Sequence, residues 1–63
     1  MTQTSALIIL NSFNSQREQE MQYTPISFVE ADEDGIIIRC RSFKGDIIDV
    51  EVLEPDLVLP IPE

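Results

Sequence analysis

The segment GIIIRCRSFKGDIIDVEVLE, residues 35–54, contains two apolar runs, and each run carries two like charges on alternate positions. Lys44 and Gly45 lie between the runs. Alternation of apolar and charged side chains is typical of a strand with one buried face, and a glycine between two such strands is typical of a hairpin turn. The segment therefore predicts a β-hairpin, and the length of its loop decides which side chains share a face.

A three-residue loop, Phe43-Lys44-Gly45, agrees with both the turn chemistry and the pattern of apolar residues. Such a loop needs a left-handed residue at its third position, and glycine adopts that conformation without strain. The resulting register pairs Arg39 with Asp49, whereas a two-residue loop would mix polar and apolar side chains on both faces. One face then carries Ile36, Ile38, Cys40, Ile48, Val50 and Val52. The other face carries Arg39, Arg41, Asp49 and Glu51.

Further strands and a turn are expected on either side of this loop. The hairpin strands cover residues 36–43 and 46–54, and residues 25–31 form a strand before them, with Asp34-Gly35 at the tip of the connecting turn. Residues 5–10 (SALIIL) are interpreted as a buried strand, because the run is short and polar residues follow it. The first turns of a helix are the alternative for this run.

A short helix is predicted over residues 16–22. Ser15 and Glu18 match the capping-box pattern, and Thr24-Pro25 ends the helix because the residue before proline avoids helical dihedral angles. Residues 55–63 contain three prolines. We expect them to form an extended tail or an edge strand, since proline cannot donate a hydrogen bond to a neighbouring strand.

Together these elements predict a single small domain over residues 1–63 that is mainly β. It is expected as an antiparallel meander or partly open barrel of four or five strands with one short helix. The alternative is an α+β arrangement in which residues 5–22 form a longer N-terminal helix across the sheet.

The composition excludes several classes of function. Twelve acidic and four basic residues give a net charge of −8, whereas binding to nucleic acid or to an anionic membrane needs Lys and Arg. A single cysteine, Cys40, and the lack of histidine exclude an intrachain disulfide and the common zinc sites. The unpaired cysteine, and the lack of an export signal around the apolar run 6–10, predict a cytoplasmic location. We expect no cofactor and no metal.

Residue types that could support catalysis are poorly placed. The acidic turn Asp32-Glu33-Asp34-Gly35 lacks the spacing of an EF-hand calcium loop, in which glycine is sixth and glutamate twelfth. Cys40 has no histidine partner, and the hairpin register buries it, which raises rather than lowers the pKa of a thiol. We therefore expect that the chain is not an enzyme.

The charged face of the hairpin also holds large apolar side chains, Ile37 and Leu53, which need a cover. The candidate covers are residues 5–10, the short helix, the tail or another molecule. We expect a non-enzymatic interaction protein, an accessory subunit or regulator that docks on a larger protein partner or forms a homo-oligomer. The residues expected to bind the partner are Ile37, Arg39, Arg41, Asp49, Glu51, Leu53, Leu57, Leu59 and Ile61.

An acidic inhibitor that imitates nucleic acid, of a kind that phages encode, is the competing hypothesis. Nine carboxylates lie between Glu30 and Asp56, and such a row can imitate the charges of phosphates. This hypothesis predicts salt-sensitive binding to a basic nucleic-acid enzyme. Binding would be lost on neutralisation of Asp32, Glu33, Asp34, Asp49 and Glu51.

Overall fold

The computed structural model describes residues 1–62 as one helix followed by a four-stranded antiparallel sheet. The elements are α1 (Gln3–Ser15), a single 3-10 turn (Gln19–Met21), β1 (Tyr23–Ala31), β2 (Gly35–Ser42), β3 (Ile47–Leu53) and β4 (Leu57–Pro60). The strands lie in chain order across the sheet, so each turn joins neighbouring strands. The mainly β fold with one short helix is therefore confirmed, as an open meander of four strands.

The central hairpin of β2 and β3 has the register that the sequence predicts. Arg39 pairs with Asp49, and a hydrogen bond from the Ser42 N–H to the Asp46 carbonyl oxygen, 2.8 Å long, closes the three-residue loop. Gly45 has φ 90°, in the region that favours glycine. Alternation along both strands then directs one set of side chains toward α1 and the other set away from it.

The core lies between α1 and one face of the sheet. Helical positions four residues apart share a face, and Ala6 and Leu10 are both fully buried there. Complete burial of a leucine contributes about 1.5–3 kcal/mol relative to exposure, so Leu10 is a principal contact of the helix. The buried side chains are Ala6, Leu10, Ile36, Ile38, Cys40, Val50, Val52 and Val58.

The strand preferred for residues 5–10 and the helix over residues 16–22 are wrong, whereas the helical alternative for residues 5–10 is confirmed. Residues 5–10 belong to α1 rather than to a strand, and the helix begins after Thr2, whose side-chain oxygen accepts a hydrogen bond from the Ser5 N–H. The helix ends at Ser15, so this serine is not an N-cap, and the chain after it forms only the 3-10 turn. The helix is favoured because its apolar side chains recur at helical spacing and pack against the sheet. This packing cannot be recognised from a short segment of sequence alone.

Hydrogen bonds fix the connection between α1 and β1. Asn14 Nδ2 donates to the Tyr23 carbonyl oxygen at 2.7 Å, and Asn14 Oδ1 accepts from the Tyr23 N–H at 2.9 Å. Gln22 Nε2 donates to the carbonyl oxygens of Asn14 and Arg17, and the Asn14 carbonyl also accepts from the Arg17 N–H at 3.1 Å. The Phe13 ring stacks on Tyr23 with centroids 6.1 Å apart. The first residue of β1 is thereby held against the end of the helix.

The two edges of the sheet are formed by β1 and β4. β4, formed by part of the tail, pairs with β3 and lies at the end of the strand order; Glu63, the last residue of the tail, lies outside the described residues. β1 pairs with β2 in a register that shifts twice, between Pro25 and Ser27 and between Phe28 and Glu30. Bulges and prolines in edge strands oppose pairing with strands of other molecules. Both edges therefore disfavour association of sheet with sheet.

The turn between β1 and β2 differs from the predicted one. Gly35 is the first residue of β2, and the Asp32 carboxylate accepts hydrogen bonds from the N–H groups of Asp34 and Gly35 at 2.9 and 2.8 Å. The tip is therefore Glu33-Asp34 rather than Asp34-Gly35. A Cβ at Gly35 would collide with the carbonyl oxygen of Val52, so the glycine permits a close approach of β2 and β3.

Candidate functional site: the open face of the sheet

The open face of the sheet is the side that α1 does not cover. Its side chains alternate with the core residues along the strands. They lie in rows that run across the strands: Ile37, Glu51 and Leu59; Arg39, Asp49 and Ile61; Leu53 and Leu57; and Arg41 with Ile47. The structure therefore brings all nine residues that the sequence suggested for partner binding onto one face.

No segment of the chain, within residues 1–62, covers the open face. Of the covers that the sequence suggested, residues 5–10 belong to α1 on the opposite face and the tail forms β4 within the sheet. Leu57 and Leu59 are 50% and 46% exposed, and Ile47 is 50% exposed. Contiguous exposed apolar side chains are typical of interaction sites.

An ion pair crosses the centre of the open face. Arg39 Nε lies 3.0 Å from Asp49 Oδ1, and Arg39 Nη2 lies 3.4 Å from Asp49 Oδ2. The hydrogen bond from this guanidinium to Asp49 raises the pKa of Arg39. Both side chains remain partly exposed, and solvent weakens the attraction within such a pair. Its main consequence is that it neutralises the middle of the face.

An apolar patch occupies one end of the open face, and Glu51 lies inside it. Burial raises the pKa of the Glu51 carboxyl, and the nearby carboxylates of Asp32 and Asp34 raise it further. The pKa of Asp32 is instead lowered, because backbone N–H groups of the turn donate to its carboxylate. The surroundings of Glu51 therefore disfavour the charged form of its carboxyl group. The apolar patch consists of Ile37, Leu53, Leu57 and Leu59.

Carboxylates are concentrated at one end of the strands. The turns β1–β2 and β3–β4 lie at the same end of the meander, and every charged residue in them is a carboxylate. The opposite end is mixed: its loop carries both Lys44 and Asp46. Arg17 lies there too, because it stacks 4.1 Å from the centre of the Phe13 ring, which itself stacks on Tyr23. We call the first end the acidic end. Its carboxylates are Glu30, Asp32, Glu33, Asp34, Glu51, Glu54 and Asp56, seven of the twelve acidic residues.

Two further chemical features concern metal binding and the single thiol. No three Cys, Asp or Glu side chains of residues 1–62 are placed to hold a metal ion. The Cys40 thiol donates to the Ile38 carbonyl oxygen at 3.6 Å, and burial raises the pKa of this thiol to about 11. Such a thiol is protonated at neutral pH and is a poor nucleophile. That the chain is not an enzyme stays a prediction.

A second exposed apolar region lies on β1. Ile26, Phe28 and Val29 are 50%, 37% and 43% exposed, and a groove of about 260 Å³ between α1 and β1 is lined by Leu7 and Phe28 among others. An unbroken strand would place Ile26 and Phe28 on one face, but the shifts in register change this alternation. Bulges depend on contacts across the sheet, and no local sequence signal marks them here.

No protein-family model, curated protein or solved structure matches the chain. Within residues 1–62, no helix combines the length and the apolar character that are needed to cross a membrane.

Proposed function

We propose that the chain is a non-enzymatic interaction protein, an accessory subunit or regulator that docks through the open face of its sheet. The observation that supports this most is the apolar patch, in which Leu57 and Leu59 remain about half exposed. The centre of a protein interface is apolar and its rim is polar, and the apolar patch beside the acidic end has this composition. The register shifts of β1 and the proline of β4 disfavour pairing at the edges of the sheet, which favours docking through the open face over addition of a strand.

Binding at this face would be driven by removal of apolar surface from water. Each Å² of apolar surface that a partner covers contributes about 25 cal/mol before the costs of association. Neutralisation of Asp49 by Arg39 at 3.0 Å reduces the charge that a partner has to desolvate. The buried free thiol of Cys40 supports a reducing compartment for this function, and we propose the cytoplasm.

Light scattering and dye binding test the proposal on three chains. These are the wild type, the double variant Leu57→Ser/Leu59→Ser, and Ile8→Ser, which removes a similarly exposed apolar side chain of α1 (62% exposed). We expect the wild type to exceed its monomer mass of 7.2 kDa or to bind a dye for exposed apolar surface. The double variant should lose that property and Ile8→Ser should keep it. A monomeric wild type that binds no dye contradicts the proposal.

The acidic end supports a second candidate function, an inhibitor that imitates nucleic acid. Its carboxylates have no Lys or Arg among them in the described chain, and a basic nucleic-acid enzyme would be attracted to them. Neutralising Asp32, Glu33 and Asp34 should then abolish a salt-sensitive interaction with such an enzyme. The Leu57→Ser/Leu59→Ser variant should leave that interaction intact, which separates this function from docking through the apolar patch.

A further inference from the structure

The apolar patch and the acidic end occupy the same part of the open face. Leu53 pairs with Leu57 in the last row of the sheet, beside the two acidic turns. Ile37 and Leu59 lie in the next row, on either side of Glu51. The surface therefore has an apolar centre with one carboxylate in it and an acidic rim. The rim consists of Glu30, Asp32, Asp34, Glu54 and Asp56.

Glu51 has no cation beside it among the described residues. Arg39, in the neighbouring row, pairs with Asp49. The charged groups that act on Glu51 are instead the carboxylates of Asp32 and Asp34. A carboxylate among apolar side chains and like charges is unfavourable unless an opposite charge reaches it. A cation from another molecule would remove this unfavourable interaction.

We infer that the open face binds a protein segment in which a lysine or arginine is flanked by apolar side chains, the cation pairing with Glu51 and the apolar side chains covering the apolar patch. This rests on the proposed docking function and adds the chemistry of the partner. An ion pair at an interface centre from which water is excluded is stronger than an exposed pair. The acidic rim accelerates association with a basic surface.

Net charge favours a separate basic partner over a second copy of the chain. Each copy of the chain has a net charge of −8, so two copies repel each other electrostatically. Arg39 is paired with Asp49, so Arg41, beside Ile47 on the same face, is the open-face arginine that a second copy would present to Glu51. Such an arrangement would appear as a dimer.

The test uses the ¹⁵N-labelled chain and synthetic peptides. The probe peptide alternates valine and lysine; one control peptide has glutamate in place of every lysine, and another has the same composition with all lysines at one end. Titration is followed by the backbone amide shifts at low and at physiological salt. We expect shifts centred on Glu51, Leu53 and Leu59, and an affinity for the probe about tenfold higher than for either control.

Variants separate the charge from the apolar contact. Glu51→Gln removes the carboxylate, and Leu59→Ser removes one apolar side chain of the apolar patch. Each variant should bind the probe about tenfold more weakly. Glu18→Gln and Ile8→Ser are the matched changes outside the open face. Glu18 makes no side-chain hydrogen bond at the turn that it precedes, and Ile8 is exposed, so both should leave the affinity unchanged.

Equal affinity for the probe and for the peptide with grouped lysines would show general attraction between opposite charges and overturn the inference. No binding of the probe would overturn it as well. A dimer with shifts at Arg41 and Glu51 on raising the protein concentration would replace the basic partner by a second copy and leave the docking function standing. The docking function itself fails only if the wild type is monomeric and binds no dye.

Discussion

At the scale of single residues, the two glycines of the chain are required for different reasons. Gly45 has φ 90°, and nothing lies within 4 Å of the place where a Cβ would be, so only the backbone conformation demands glycine. Gly35 has no such conformation. A Cβ at Gly35 would collide with the Val52 carbonyl oxygen and lie 2.8 Å from Leu53 Cδ2. A substitution therefore acts through backbone strain at Gly45 and through collision at Gly35.

Gly45→Ala is expected to lower the free energy of unfolding by about 1–2 kcal/mol, the cost of a left-handed conformation for a residue with a Cβ. Gly45→Asn should cost less, because asparagine tolerates this conformation. At Gly35 both alanine and asparagine should cost about 1–3 kcal/mol, because β3 has to move. Urea unfolding followed by circular dichroism measures these variants. If alanine and asparagine at Gly45 lowered the free energy of unfolding equally, backbone strain would not be the cause of the loss.

Two neighbouring carboxyls, Glu51 and Asp32, make stability depend on pH in opposite directions. The raised pKa of Glu51 means that the folded chain holds this proton more tightly than the unfolded chain, whose carboxyl has the ordinary value of 4.5. Its stabilising contribution is complete below 4.5 and is lost as the pH rises through the raised value. The lowered pKa of Asp32 stabilises the fold above its ordinary value of 3.8, and this contribution is lost on acidification.

Glu51→Gln is expected to raise the free energy of unfolding at neutral pH, because it removes a charge that burial, Asp32 and Asp34 disfavour. The gain should shrink as the pH falls through the raised pKa, where Glu51 of the folded wild type takes up its proton, and it should be absent below 4.5. Urea unfolding at neutral pH and at about pH 3.5 measures the difference. The control, Glu18→Gln, should show no gain at either pH. A less stable Glu51→Gln chain at neutral pH would contradict the expected repulsion.

At the scale of elements, the central hairpin could be predicted from the sequence and the helix could not. The register of β2 and β3 follows from local chemistry, because Gly45 fixes the loop and alternation fixes the faces. A helix of 13 residues is marginal by itself in water, and α1 exists because Ala6 and Leu10 pack on a sheet formed later in the chain. The apolar run 5–10 is too short for its periodicity to exclude a strand.

Asn14→Ala is expected to lower the free energy of unfolding by about 1–3 kcal/mol, since it removes two partly buried hydrogen bonds to the backbone of Tyr23. The connection between α1 and β1 depends on these bonds. Asn11→Ala, an exposed change in the same helix, is the control and should change stability by no more than about 0.5 kcal/mol. Thermal and urea unfolding measure both variants. Similar effects of the two substitutions would mean that the contact with Tyr23 is not stabilising.

At the scale of the whole molecule, part of the candidate site follows from alternation and part requires the topology. Alternation alone placed the apolar residues Ile37 and Leu53 among the charges of one face. The acidic end could not be predicted in this way, because the turns 32–34 and 54–56 are separated by two strands and meet only in an antiparallel meander. The folded sheet also determines that Arg39 pairs with Asp49, while the charged groups that act on Glu51 are Asp32 and Asp34.

The helix and the sheet share one core, so we expect them to unfold together. Leu10 is fully buried between them, and Leu10→Ala should lower the free energy of unfolding by about 2–5 kcal/mol. Cores of chains this short supply only about 3–5 kcal/mol, so most of the variant should be unfolded. Amide hydrogen exchange then loses protection in β2 and β3 as well as in α1, whereas the exposed control Ile8→Ala keeps it. Protected β2 and β3 amides in a Leu10→Ala chain that has lost its helix would show that the sheet folds alone.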